Sequence, residues 1–258
     1  MVRPGGRAER VAIVPGRHYL SGMTKRLLLD IWSDIACPWC YVGKRRLEAA
    51  LALFPHKDAV EIVWRSFELD PRSPVAHDPS HPLAARLSSK YGMPLAEADA
   101  TLARMTQVAA EDGLELHFEK TKPVSTFNAH RVLHLALDRG VQGAMKERLL
   151  RAYHSEGETV SDAATLARLG AEVGLEASEV RAVLASDRYA DQVRQDEISA
   201  RQLGVNGVPF FVIGGRYAVS GAQPARALLE VLEKAWAESK DDAPAVSEGD
   251  ACGPDGCA

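Results

Sequence analysis

The chain has 258 residues, of which 46% are hydrophobic and 26% charged, enough to bury a full globular core with no disulfide scaffold. A formal net charge of -4 gives no basic field for a polyanion, and no stretch interleaves lysine and arginine with aromatics, which argues against a nucleic-acid partner. No apolar run approaches the roughly 18 to 20 residues that cross a bilayer, and Val11–Val14, the longest in the first 22 residues, is too short for an export signal. The expectation is a cytoplasmic protein with no membrane partner; composition leaves the oligomeric state open.

Met23 stands directly before Thr-Lys-Arg and the first convincing strand, so residues 1–24 read as a disordered extension or an upstream start-site choice. Leu27–Trp32 is a nearly continuous apolar run of the kind a strand buried on both faces shows. It leads into Cys37-Pro38-Trp39-Cys40, after which Tyr41–Leu53 has helical spacing until Pro55 ends it. Val60–Leu69, rich in β-branched and aromatic residues, predicts a second strand and so completes a β-α-β unit.

Residues 73–204 turn alanine- and leucine-rich, with capping residues at Ser161-Asp162 and Ser178-Glu179 and breaks at Gly92-Met93-Pro94, Gly140, Gly157 and Gly174. A series of helices is implied. The β pattern returns at Val208–Ile213, turns at Gly214-Gly215 and resumes over Arg216–Ser220, a hairpin, before a closing helix from Pro224 to about Glu238. The fold class is therefore α/β: a thioredoxin-like domain split between 25–72 and 205–238, an all-helical insertion at 73–204, and a flexible polar tail at 239–258.

The four cysteines fall as two close pairs, Cys37 with Cys40 and Cys252 with Cys257. In a reducing compartment such pairs point to metal ligation or transient redox chemistry. A thiol reacts as its thiolate, and a cysteine capping a helix faces unpaired N–H groups and the positive end of the dipole. Pro38 suits the first helical position, so Cys37 is the expected nucleophile, and Cys40, one turn deeper, the resolving thiol. A zinc half-site is the competing reading, but its remaining ligands would have to be Cys252 and Cys257, whose spacing is unusual for a closed site, and no metal is expected. Gly207-Val208-Pro209-Phe210-Phe211 opens the returning strand, where a cis Val208-Pro209 bond would leave the Val208 backbone free to pair with an extended peptide.

Asp30-Ile31-Trp32-Ser33-Asp34-Ile35-Ala36-Cys37-Pro38-Trp39-Cys40, taken with Asn128-Ala129-His130-Arg131, Gly207-Val208-Pro209-Phe210-Phe211 and Val219-Ser220-Gly221-Ala222-Gln223, resembles the DsbA superfamily and its FrnE-like branch over about residues 25–236. The resemblance implies a protein disulfide oxidoreductase with Cys37, Cys40 and a cis-Pro209 at its centre, and Pro38, Trp39 and Val208 against the substrate. Its substrates would be proteins or peptides carrying thiols or disulfides. No bound cofactor is expected, and glutathione or another low-molecular-weight thiol would be the electron partner. Trp39 stands where periplasmic members resemble Cys-Pro-His-Cys, and a neutral ring cannot stabilise a thiolate as imidazolium does, so a less oxidising couple is expected. Trp39 is read either as an apolar platform exposed beside the sulfurs or as a side chain packed on its helix.

Cys252-Gly-Pro-Asp-Gly-Cys257 carries turn residues between its thiols. The resemblance extends to tail pairs that exchange with the main site, and a linker of about twelve residues reaches roughly 17 to 20 Å. An auxiliary redox pair is one reading; inert thiols or a metal scavenger is the other. His77 with His81 and His130 with His134 are spaced as helical ligands are, but no carboxylate motif accompanies them and they are assigned no catalysis. The rival functions are a glutathione-dependent isomerase of the kappa-transferase or hydroxychromene-carboxylate type, where serine is typical at the first cysteine, and a peptide-binding holdase without turnover.

Overall fold

Strand β2 (Leu27–Ser33) forms because six of its seven residues are buried, leaving no polar face to turn outward. In the computed structural model, which describes residues 9–10 and 25–239, it is an interior strand of a mixed sheet. It pairs parallel with β3 (Val60–Ser66) and antiparallel with β4 (Phe210–Ile213), and β4 pairs antiparallel with β5 (Tyr217–Ser220). Within the segment read as an extension, the two-residue strand β1 (Glu9–Arg10) adds to β5, giving the order β1-β5-β4-β2-β3. The rest of that extension, and the tail from 240 onward with Cys252 and Cys257, lie outside the described residues.

Helix α1 (Pro38–Leu53) connects β2 to β3 and α9 (Ala225–Glu238) follows β5. Their apolar faces meet Leu29, Ile31, Phe211 and Ile213 of the sheet in one core with Leu47, Leu228 and Leu232. Seven helices run between β3 and β4: α2 (Leu83–Tyr91), α3 (Leu95–Glu111), α4 (Phe127–Asp138), α5 (Gln142–Arg151), α6 (Ala163–Glu172), α7 (Ala177–Leu184) and α8 (Ala190–Gln202). The fold is a thioredoxin-like sheet split by a helical insertion. Asp162 caps α6 by accepting from the Thr165 N–H at 2.7 Å. Ser178 does not cap α7, whose N-cap is Glu176; the helix begins earlier than the capping signature suggested.

The insertion closes the sheet at its β3 edge. An exposed edge strand offers unpaired backbone groups. Here Gln142 of α5 bonds the Trp64 N–H and carbonyl, both at 2.9 Å, and Asp196 of α8 accepts from the Ser66 N–H at 2.8 Å. The second, larger core belongs to the insertion and includes Val132, Leu135, Leu149 and Leu166, yet it also takes in Ile35 from the loop after β2. The cysteine motif therefore starts from a loop anchored in both cores.

Candidate active site

Cys37 is the N-cap of α1, with extended backbone, and Pro38 occupies the first turn, where its missing N–H costs nothing. No acidic side chain lies in that first turn to compete for the positive end of the helix. The Cys40 N–H bonds the Cys37 carbonyl at 3.1 Å, which stacks the two thiols one turn apart. Cys37 is 4% exposed and Cys40 is 0% exposed, so an incoming group meets Cys37 first. Both cysteines are unbridged.

The Val208-Pro209 peptide is cis, as the sequence led us to expect. The Cys37 thiol donates to the Val208 carbonyl at 3.4 Å, so the loop before β4 faces the sulfur directly. Phe210, the next residue, packs edge-on against Trp32 of β2, with ring centroids 6.5 Å apart. Trp39 is 43% exposed, on the rim beside the cysteines, where a side chain fixed by packing alone would be covered.

The insertion and the loop after β2 together form a buried polar floor that the sequence reading did not assign. Asp34 accepts from the Leu69 N–H at 2.8 Å and the Ala36 N–H at 3.3 Å, and His130 of α4 lies 3.4 Å from it. Burial opposes the Asp34 charge, but His130 and the Leu69 N–H hold its carboxyl below the usual range. Lys146 of α5 is 0% exposed and donates to the Ser33 carbonyl at 3.4 Å. Burial brings its ammonium down to about 8, against the pull of Cys40, Asp34 and Cys37. His154 sits in a π-helical turn, Ala152–Glu156, between the rings of Tyr41 and Tyr153. Neither of its ring nitrogens has a hydrogen-bond partner among the described residues. Burial takes it down to about 4, although the carbonyls of Ile35 and Cys37 and the Asp34 carboxylate favour its cation. Composition implied a series of helices here, but no local signal told which polar residues of α4 and α5 would turn inward.

The two buried thiols shift each other's ionisation in opposite directions. Burial would raise the Cys40 thiol, but the neighbouring Cys37 thiol and the Lys146 ammonium take it below the ordinary range. The proximity of Cys40, together with burial, lifts the Cys37 thiol. The sequence reading considered the helix end alone; the floor beneath Cys40 adds the charge of the Lys146 ammonium to the partial charge of the helix end.

His134 does not join this group. Its Nε2 lies 3.2 Å from Ser66 Oγ and 3.1 Å from Asp196, so it secures β3 to α8. His81 pairs with Asp78 at 2.6 Å on the exposed surface. Among the described residues no three His, Cys, Asp or Glu side chains gather as metal ligands would, and no helix is long and apolar enough to cross a membrane.

Comparison with known proteins agrees with this architecture. The family model for the DSBA-like thioredoxin domain matches residues 28–233. The crystal structure of the probable DsbA oxidoreductase SCO1869 from Streptomyces coelicolor is 46% identical, with a TM-score of 0.78 over 90% of this chain and 99% of that one. The uncharacterized protein YwbO of Bacillus subtilis (strain 168) is 28% identical over 82% of this chain and 96% of its own length. A 2-hydroxychromene-2-carboxylate isomerase shares the fold at 15% identity, with a TM-score of 0.60 over 83% of this chain and 98% of that one. The chain thus belongs to the DSBA-like thioredoxin domain family.

Proposed function

We propose that the protein is a thiol-disulfide oxidoreductase that works through Cys37 and Cys40 on thiols or disulfides of proteins, peptides or small molecules. The observation that carries this reading is the juxtaposition of a helix-capping cysteine with the Val208 carbonyl at 3.4 Å. A substrate strand laid along the Val208 backbone brings its own sulfur to Cys37 by main-chain pairing, and Trp39 and Pro38 supply apolar contact. In the oxidising direction, a substrate thiolate attacks Cys37 of the disulfide, the Cys37–Cys40 bond breaks, and its electron pair leaves on Cys40. A second substrate thiolate then attacks the substrate sulfur of the mixed disulfide and releases Cys37 as a thiolate, which takes up a proton. In the reducing direction the same steps reverse, with Cys40 resolving the mixed disulfide.

In this reading the protein works in the cytoplasm, needs no bound cofactor, and exchanges electrons with glutathione or a similar small thiol. Cys252 and Cys257 form an auxiliary pair that passes electrons to or from the main site. Rapid acid quenching with thiol trapping is expected to catch a mixed disulfide between the two pairs. Its consistent absence, with the main site turning over, would overturn the auxiliary role.

Turnover on a disulfide substrate such as insulin is expected to disappear in Cys37→Ser, while Cys40→Ser accumulates a mixed disulfide. Activity of both serine variants at the wild-type level would overturn the redox reading in favour of a holdase, whose groove needs no thiols. Having cysteine at both positions argues against the isomerase, and a hydroxychromene-carboxylate isomerase assay is expected to give no turnover.

A further inference from the structure

Lys146 is among the largest fully buried side chains of the protein, and its only hydrogen bond among the described residues is the 3.4 Å contact to the Ser33 carbonyl. No carboxylate oxygen of a described residue lies within ion-pair distance of it. Burying an ammonium is costly unless a negative charge accompanies it. Asp34, the carboxylate of the same floor, is already committed to the Leu69 and Ala36 N–H groups and to His130. Besides Asp34, the groups within electrostatic reach of Lys146 that can take up a negative charge are the sulfurs of Cys40 and Cys37, and Cys40, fully buried one turn deeper on α1, has the stronger influence.

The neighbouring residue explains how Lys146 is held there. Glu147 accepts from Tyr41 at 2.8 Å and from Lys44 at 2.6 Å, and it also pairs with Arg45, all on α1. This bracket fixes α5 against α1 one residue beyond Lys146, so the register that satisfies Glu147 also directs Lys146 inward toward the second cysteine of α1. The charge belongs to the insertion, whereas the thiol belongs to the thioredoxin-like part.

We propose that Lys146 is a positioning residue for the redox reaction, the counter-charge that holds Cys40 as a thiolate when the Cys37–Cys40 bond breaks. The inference rests on the oxidoreductase reading and assigns the insertion a part in it. As the substrate thiolate attacks Cys37, the electron pair of the broken bond arrives on Cys40, which no water can reach, and the ammonium meets it there. In the reducing direction the same contact keeps Cys40 unprotonated for its attack on the mixed disulfide. Stabilising the thiolate favours the reduced pair, so Lys146 makes the couple more oxidising. The titratable groups that face it are Asp34, Cys37, Cys40, Lys44, His130 and His154. Of these, the cysteines alone change charge in the reaction.

The test uses the full chain with Cys252→Ser and Cys257→Ser, so that one pair remains. Thiolate absorbance at 240 nm reports the Cys40 midpoint after Cys37→Ser, and equilibration with glutathione reports the potential of the intact pair. Lys146→Met is expected to raise the Cys40 midpoint by about one pH unit or more, and to shift the glutathione equilibrium about tenfold toward the disulfide form, which is about 30 mV. Lys146→Arg, which keeps the charge, is expected to leave the Cys40 midpoint low. If Lys146→Met does not fold, Lys146→Gln, whose amide can still donate to Ser33, gives the same readouts. A Cys40 midpoint and an equilibrium unchanged within about twofold in a folded neutral variant would reduce Lys146 to an anchor for Ser33 and overturn the inference. The titration needs no turnover, so a chain without a reversible glutathione couple would sink the oxidoreductase reading separately.

Discussion

Gly43 and Pro209 stand so close that a Cβ added at residue 43 would lie 2.8 Å from Pro209 Cγ. This contact seats the proline loop on α1 one turn after Cys40, and it requires a residue without a side chain in mid-helix. Alanine there would gain about 1 kcal/mol of helix propensity. Overpacking against a ring that cannot rotate away costs roughly 1–3 kcal/mol, and the clash is expected to win.

Gly43→Ala is therefore predicted to lower the melting temperature by a few degrees, and to slow alkylation and turnover at Cys37 as the Val208 carbonyl moves. Calorimetry with iodoacetamide kinetics checks both. A raised melting temperature would mean that the loop yields freely and does not define the site.

His154 gives a pH prediction with a definite sign. Burial takes its imidazole from 6.5 down to about 4. Between those values the unfolded chain binds a proton that the folded chain does not, so this contribution is complete above pH 6.5 and is lost as pH falls to about 4. At about 1.4 kcal/mol per unit, the loss is on the order of 3 kcal/mol. His154→Phe is predicted to flatten the acid limb of stability, with little change at pH 7, where neither ring nitrogen of the histidine is hydrogen-bonded. Urea midpoints at pH 7 and 4.5 check this; an equally steep acid limb in the variant would refute it.

Trp39 is exposed enough to be removed without disturbing the core. Trp39→Ala is predicted to change stability by no more than about 0.5 kcal/mol. It should raise KM for a peptide disulfide by up to roughly tenfold, the loss of an aromatic contact worth 1 kcal/mol or more. The rate with glutathione disulfide should stay unchanged. An equal effect on both substrates would show that the ring acts on the sulfurs instead of on the peptide.

The sequence made Cys37, Pro38, Cys40 and Pro209 legible because each acts through local backbone geometry: a helix start, a first-turn proline, a one-turn spacing and the opening of a strand. Strand ends were less legible. Val60–Leu69 reads as one run, but the strand stops at Ser66, because Glu68 and Leu69 turn toward Asp34 and α8. Lys146, Asp34, His130 and His154 were not legible as a group. They come from α5, the loop after β2, α4 and the π turn, and their meeting depends on how the insertion docks, which no spacing along the chain encodes. Lysine on an amphipathic helix reads by default as a solvated residue; here Glu147 and its three partners on α1 fix the helix beside it, and Lys146 itself meets the Ser33 carbonyl and the Trp64 ring.

The central claim is tested most directly by the reduction potential of the Cys37–Cys40 pair, measured in glutathione buffers on the full chain carrying Cys252→Ser and Cys257→Ser. A reversible two-electron couple is predicted, less oxidising than about -120 mV because Trp39 replaces an imidazolium. A couple at that limit would contradict the role given to Trp39, and the absence of any reversible couple would contradict the assignment of Cys37 and Cys40 as a redox centre.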